Sequence, residues 1–415
     1  MKSIIKKILF ISLPLTILSF GACRETCISP CGLPCDTPCI CDAEVINDPA
    51  YFKTNRVLTN NCTTGDGIDY IVEATTVANY YDVTTKLTVE KGTTILFKDG
   101  AGLAIKGTGS ISAIGEATEM ITFRGEEVSD EGAWRGVYIE TDQTDNNLEY
   151  VHIQGAGGES FNSNDDKGNL VIYADAKVSV KNCRFSNSTS YGVNSNYTSA
   201  DLTSLLNNTF ENNNIPILIR GNHVDIVDAT NTFLNNTNSY VHVRVGSEIK
   251  TSKIWQALSI PYRITSSDFG IFKHQEVGSN GKLTINAGTT IEFETQTGFK
   301  IDDTATFLAV GTANNRIKFR GANPVAGSWD GIQFNFTQSP SNEIAYADIE
   351  HAGSENGAIY MWADPFVNVH DVSLSEIPSC AFFDAPKSPQ DPTNPRLTRN
   401  NINYTNVGSQ YCKGN

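Results

Sequence analysis

Positive charge is scarce in this chain of 415 residues. Its 31 Lys and Arg stand against 46 Asp and Glu, for a net charge of −15 and an isoelectric point near 4.9. Nucleic acid and anionic membrane surfaces reward clustered Lys and Arg, so neither is an expected partner. No window from Lys86 to Gly125 is long enough for an amphipathic helix, which points away from a helical or α/β fold. The apolar run Ile8 to Phe20 is too short for a permanent membrane-spanning helix. No Pro/Gly/Ser linker marks a domain boundary near Val245, and aromatic and Gly content are those of an ordered β-rich protein.

A stretch used twice dominates what is present. KLTVEKGTTILFKDGAGLAIKGTGSISAIGEATEMITFRG (Lys86 to Gly125) is answered by KLTINAGTTIEFETQTGFKIDDTATFLAVGTANNRIKFRG (Lys282 to Gly321), at an ungapped offset of 282 − 86 = 196. Past a one-residue slip, Trp134-Arg135-Gly136 answers Trp329-Asp330-Gly331, and Tyr150 and Ile153 answer Tyr346 and Ile349. Such self-similarity is read before any single motif. Within each copy, short runs such as Leu87-Thr-Val89 and Ile121-Thr-Phe123 alternate apolar with other residues, and Gly breaks them every few positions. These are strands too short for a hairpin sandwich but suited to the stacked coils of a solenoid.

The motifs GTTILF, GxGxIxAxG, ITFRG and WRG resemble those of the right-handed parallel β-helix repeat proteins, of the kind found as lipoproteins in Bacteroidetes-type bacteria. The resemblance covers the chain from about Tyr70 onward and implies an all-β, right-handed parallel β-helix of the pectate-lyase-like type. The fold hosts unrelated activities, so function must be argued from residues. The expected organisation is a signal peptide over 1–22, a Cys-rich linker over 23–44, a first half over 45–245, and a second half with the C-terminal coil over 246–415. The span from Cys62 to Cys412 implies about 15 coils at ~20–25 residues each.

Lys2, Lys6 and Lys7, the apolar run after them and Gly21-Ala22-Cys23 form an export signal. The junction resembles a bacterial lipobox with Cys23 acylated, the alternative being an ordinary signal peptide cut near Ala22. The expected location is the outer membrane, lipid-anchored, facing periplasm or exterior. The run CRETCISPCGLPCDTPCIC spaces cysteines by four, but Pro30, Pro34 and Pro38 forbid a helix. In an oxidising compartment these cysteines read as disulfides rather than metal ligands. Cys27, Cys31, Cys35, Cys39, Cys41 and Cys62 make six of open connectivity, Cys380 and Cys412 a further pair, and Cys183 is left to point inward. Asn-Asn pairs and Asn-x-Phe recur at turns, where Asn tolerates left-handed φ and can form ladders between coils.

No motif specifies a reaction. Galacturonan hydrolases of the fold carry Asp motifs, a His-Gly and an Arg-Ile-Lys. Arg316-Ile317-Lys318 is present, but it aligns with Met120-Ile121-Thr122, so Ile317 is a core position with variable flanks; Asn-Thr-Asp and His-Gly are missing. Asp165-Asp166 beside Lys167 reads as a solvated turn. His152, Asp348 and His351 occupy corresponding stretches of the two copies and are the catalytic candidates, against a plainer reading as outward strand positions. Tyr360 and Trp362, in IYMWADPF, have no counterpart as aromatic in the first copy and are the candidates for a stacking platform for sugars. The expected role is therefore non-catalytic binding, adhesion or structure at the cell envelope, with polysaccharide or a surface glycan as partner and no cofactor or metal. The alternative is a lyase or hydrolase of an acidic glycan, which alone would call for Ca2+.

Overall fold

The computed structural model describes residues 42–62, 67–75, 79–126, 132–162, 166–267, 270–388, 390 and 392–414. The expected export signal, Cys23 and the cysteines from Cys27 to Cys41 lie outside them. Parallel strands wind into a right-handed β-helix of about 13 turns, with 51% strand and 3% helix. Every named strand pairing is parallel. The turn number falls below the expected count because some coils are long. Leu103 reaches its partner only at Val137, whereas further along the stack Val193 already meets Ile217 after a distinctly shorter circuit.

Alternation builds the core. In Lys86–Val89 the burial runs exposed, buried, intermediate, buried, and Ile121–Gly125 and Ile317–Gly321 likewise send Ile and Phe inward. Leu87, Leu283, Phe123 and Phe319 are all fully buried, and one apolar column runs from Ile46 to Phe382. Trp134 lies flat on Phe97 at 4.2 Å, and Trp329 on Phe293 at 3.9 Å. Their indole N–H groups donate at 2.8 Å to the carbonyls of Gln154 and Glu350, so neither ring leaves a polar atom orphaned. Burying one such side chain is worth about 2–3 kcal/mol before ordering entropy. The glycine after each pair is required: Gly136 has φ +109, and a Cβ there would lie 2.2 Å from the Gly168 carbonyl oxygen.

The Asn-Asn pairs divide their labour. Asn207, Asn212 and Asn235 take φ of +56, +53 and +51 and turn the corner. The following Asn208, Asn213 and Asn236 point inward and stack, with Asn208 Nδ2 donating to Asn231 Oδ1 and Asn213 Nδ2 to Asn236 Oδ1, each at 3.1 Å. Cys183 is buried with its thiol pushed up to about 12 by desolvation. Cys380 and Cys412 form a disulfide with Cα atoms 6.0 Å apart. It ties Leu397–Lys413, the last strand, to Val367–Ala385, two long strands that bend around the faces of the stack. One reading is corrected: Asp166 is no solvated turn residue but is fully buried, accepting a hydrogen bond from Tyr197 Oη at 2.9 Å.

In the first part of the chain three sheets alternate. One carries Thr94–Phe97 and ends, among the described residues, at Thr232–Leu234. A second carries Lys86–Val89 and a third Gly102–Ile105. The third does not keep its role. Val241–Arg244 pairs with Ile215–Arg220 on one side and, after an unusually short coil, with Tyr262–Thr265 on the other. That strand then leads to Thr290–Phe293, the counterpart of Thr94–Phe97. The two copies match strand for strand, but their matched strands lie on different sheets. The counterpart of Gly102–Ile105, Gly298–Asp302, stands on a face begun by His274–Val277.

Candidate binding groove

That face runs through His274–Val277, Gly298–Asp302, Gly331–Asn335 and Gly357–Trp362 to the end of Val367–Ala385. Parallel register stacks outward side chains in rows. One row is Glu276, Lys300, Gln333, Tyr360 and Phe383; the next is Asp302, Asn335 and Trp362. At ~4.8 Å per coil, Glu276 and Tyr360 are about 14 Å apart along the axis. A depression of about 350 Å³ opens here, lined by Gln333, Asn335, Glu355, Asn356, Tyr360 and Trp362.

Its aromatic floor has a clear origin. Tyr360 lies parallel to Phe383, centroids 5.7 Å apart. Trp362 is 40% exposed and meets Phe336, 37% exposed. Phe336 is the extra residue of the second copy: the offset is 331 − 136 = 195 at the Gly pair but 337 − 141 = 196 at Thr141 and Thr337, which donate alike to Gly109 and Ala305 carbonyls. The insertion takes φ +38 and holds its ring outward.

Charge is arranged around this floor. Lys300 Nζ lies 2.9 Å from Asp302 Oδ2 and 3.2 Å from Glu276 Oε1. Burial works against its charge, but the hydrogen bonds it donates to those carboxylates prevail and raise its pKa. His274 Nε2 sits 3.6 Å from Oδ2 of the buried Asp330. Burial lowers the His274 pKa, and Asp330 and Glu355 oppose the shift. A smaller hollow of about 200 Å³, lined by Gly246, Ser247, Phe272, His274 and Glu276, continues the face toward the first copy. A larger depression, about 600 Å³, lies on the second sheet near Thr88 and Ser112. It has no aromatic lining, and its Lys91 is held by Glu116 and Glu119 at 3.1 and 2.7 Å. It offers no stacking surface, so the smaller groove is the better site.

The same face in the first copy is closed. Between Val151–Gln154 and Leu170–Ile172 the first copy has the long segment 155–169, of which 155–162 and 166–169 are described, and the loop in the same place of the second copy, 351–356, is far shorter between Ala347–Glu350 and Gly357–Trp362. The longer loop brings Phe161 down on Tyr138 at 5.0 Å, nearly parallel, and Ala104, Tyr138 and Val171 are buried as a second small core. The short loop leaves the corresponding Lys300, Gln333 and Tyr360 open.

His152, Asp348 and His351 do not join this site. His152 is half-buried, its Nε2 2.7 Å from Ser186 Oγ, and desolvation followed by the Arg184 charge depresses its pKa to about 4. Asp348 accepts from Arg316 Nε at 2.8 Å. His351 turns a corner at φ +64, where the first copy has Gly155 at φ +74. Each answers to its own neighbours. His274, Lys300, Asp330 and Glu355 went unnoticed in the sequence. The signal that finds Lys300 is substitution at an outward position of matched strands, Ala104 to Lys300; the others carry none. No protein-family model, curated protein or solved structure matches the chain.

Proposed function

We propose that the protein is a lipid-anchored, non-catalytic glycan-binding protein of the bacterial envelope, held through Cys23 and allied to the Bacteroidetes-type β-helix lipoproteins. The observation that carries the binding reading is the open floor of Tyr360 and Trp362 beside the amides of Gln333, Asn335 and Asn356. Sugar rings present C–H faces to aromatic rings and hydroxyl edges to amides, and this face offers both within one groove. Polar side chains in rows at coil spacing suit an extended chain lying along the stack. The envelope location rests on the export signal and the Gly-Ala-Cys junction. The division into two repeated halves rests on the stretches matched at the offset of 196. Nothing in this role requires a cofactor or a nucleic-acid partner.

The test is retention on a broad glycan panel by the purified protein, with product analysis for cleavage. Binding without cleavage, weakened in Tyr360→Ala and Trp362→Ala, supports the reading. Cleavage of any panel glycan that is lost in His351→Ala would favour the enzyme alternative. For the anchor, Cys23→Ser should move the protein from the membrane to the soluble fraction; equal partition of both forms argues against lipidation.

A further inference from the structure

We propose that the groove selects an uncharged glycan and disfavours chains bearing uronic acids, an inference that rests on the groove being a glycan site. Four carboxylates frame it. Glu355 lines the opening, Glu276 and Asp302 stand in the outward rows, and Asp330 is buried behind them at 3% exposure. Ser354 Oγ donates to Asp330, which keeps that carboxylate aimed at the His274 side of the face. The cation of these rows, Lys300, lies between Glu276 and Asp302 and has its charge answered on both sides. An incoming carboxylate would meet net negative charge, and to win Lys300 it would have to displace two carboxylates already in place. Hydroxyls carry no such penalty. Each is both donor and acceptor, as the amides of Gln333 and Asn356 are.

The first copy shows what the geometry of this face holds. With Ala104, Tyr138 and Val171 in the corresponding places, it takes a flat six-membered ring, Phe161, against Tyr138. In the second copy the ring-bearing loop is gone and the row Ala104, Tyr138 and Val171 is answered by Lys300, Gln333 and Tyr360, with Tyr360 and Trp362 keeping flat surface exposed. A ring with one apolar face and a polar rim, which is a neutral pyranose, fits that change.

The experiment is calorimetric titration of the full chain with oligosaccharides that share one backbone in neutral and uronate forms, at low and at high salt. The expected result is that the neutral form binds at least about fivefold more tightly at low salt, with the gap narrowing at high salt. Glu355→Gln should shift the ratio toward the uronate form. Uronate binding as tight as neutral binding, and lost in Lys300→Ala, would overturn the selectivity alone. If no oligosaccharide binds the wild type, or if Trp362→Ala changes no affinity, the groove reading fails and the selectivity with it.

Discussion

Phe336 and Trp362 meet edge to face, ring centroids 5.2 Å apart at 74°, both open to solvent on neighbouring coils. An aromatic pair of this geometry is worth about 0.5–1.5 kcal/mol. Phe336 therefore holds the Trp362 ring in place as well as widening the floor. Phe336→Ala should weaken glycan retention by roughly three- to tenfold and leave the thermal midpoint nearly unchanged, since both rings are surface groups. A loss of retention matched by a large fall in the midpoint would assign Phe336 to the fold instead.

Trp134 and Trp329 are the largest side chains buried in their coils. Replacing either with Ala should cost about 3–5 kcal/mol. In a solenoid the loss is felt first by the adjacent coils. Hydrogen exchange should show Trp134→Ala opening Thr94–Phe97 and Ile121–Gly125, with Thr290–Phe293 still protected, and Trp329→Ala the reverse. Uniform loss of protection in both variants would mean the stack unfolds as one unit.

The Cys380–Cys412 disulfide closes a separation of 32 residues. In the chain-entropy account it contributes about 3–4 kcal/mol. Reduction, or the double Ser variant, should release protection in Leu397–Lys413 while leaving Lys282–Gly321 unchanged. Unaltered exchange in the last strand would show that pairing with Val367–Ala385 holds it unaided.

Two histidines should contribute to the loss of stability in acid. Burial depresses His242 to about 3 and His152 to about 4, so the fold favours their neutral forms. The stability this carries is fully present above the unfolded value near 6.5 and is lost as pH falls from there through about 4. His370 acts oppositely. Hydrogen bonds to Asp371 and Glu343 raise its pKa, so its contribution is present below about 6.5 and is lost as pH rises through the raised value. His152→Asn should flatten the fall in thermal midpoint between pH 6.5 and pH 4, and His370→Asn should flatten the fall on the alkaline side. An acid limb unchanged in His152→Asn would mean that other groups, carboxylates foremost, govern it.

The strands, the inward columns, the Trp-Gly pairs and the terminal disulfide were legible in the sequence because each is a local or repeated signal. Leu87 and Leu283 declare themselves by alternation, and Gly136 and Gly331 by recurring where a Cβ has no room. Tyr360 and Trp362 stood out because the first copy lacks such an aromatic run. The rest of the groove did not. Glu276, Lys300, Gln333 and Tyr360 each belong to a different coil, far apart along the chain, and become neighbours only through coil register. The change of sheet after Val241–Arg244 was equally hidden, since it follows from the shortness of one coil and from no residue type. His152, Asp348 and His351 hold similar positions in two copies, yet coil register gives them different surroundings: one is a half-buried strand residue, one an ion-pair partner and one a corner in the place of a glycine.

The segment before the groove is long in the first copy, 155–169, and cut back in the second, 351–356, yet the inward columns beneath stay apolar in both, Leu103, Val137 and Ile139 answering Phe299, Ile332 and Phe334. A duplicated segment of this kind can trade a stopper for a mouth while swapping one apolar interior for another. Excising the loop around Phe161 in the first copy should then expose a greasy shelf rather than a second groove, because the row beneath that ring, Ala104, Tyr138 and Val171, is apolar where the second copy has Lys300, Gln333 and Tyr360. Two separable edits thus set the copies apart, one that uncovers a wall and one that repaints it.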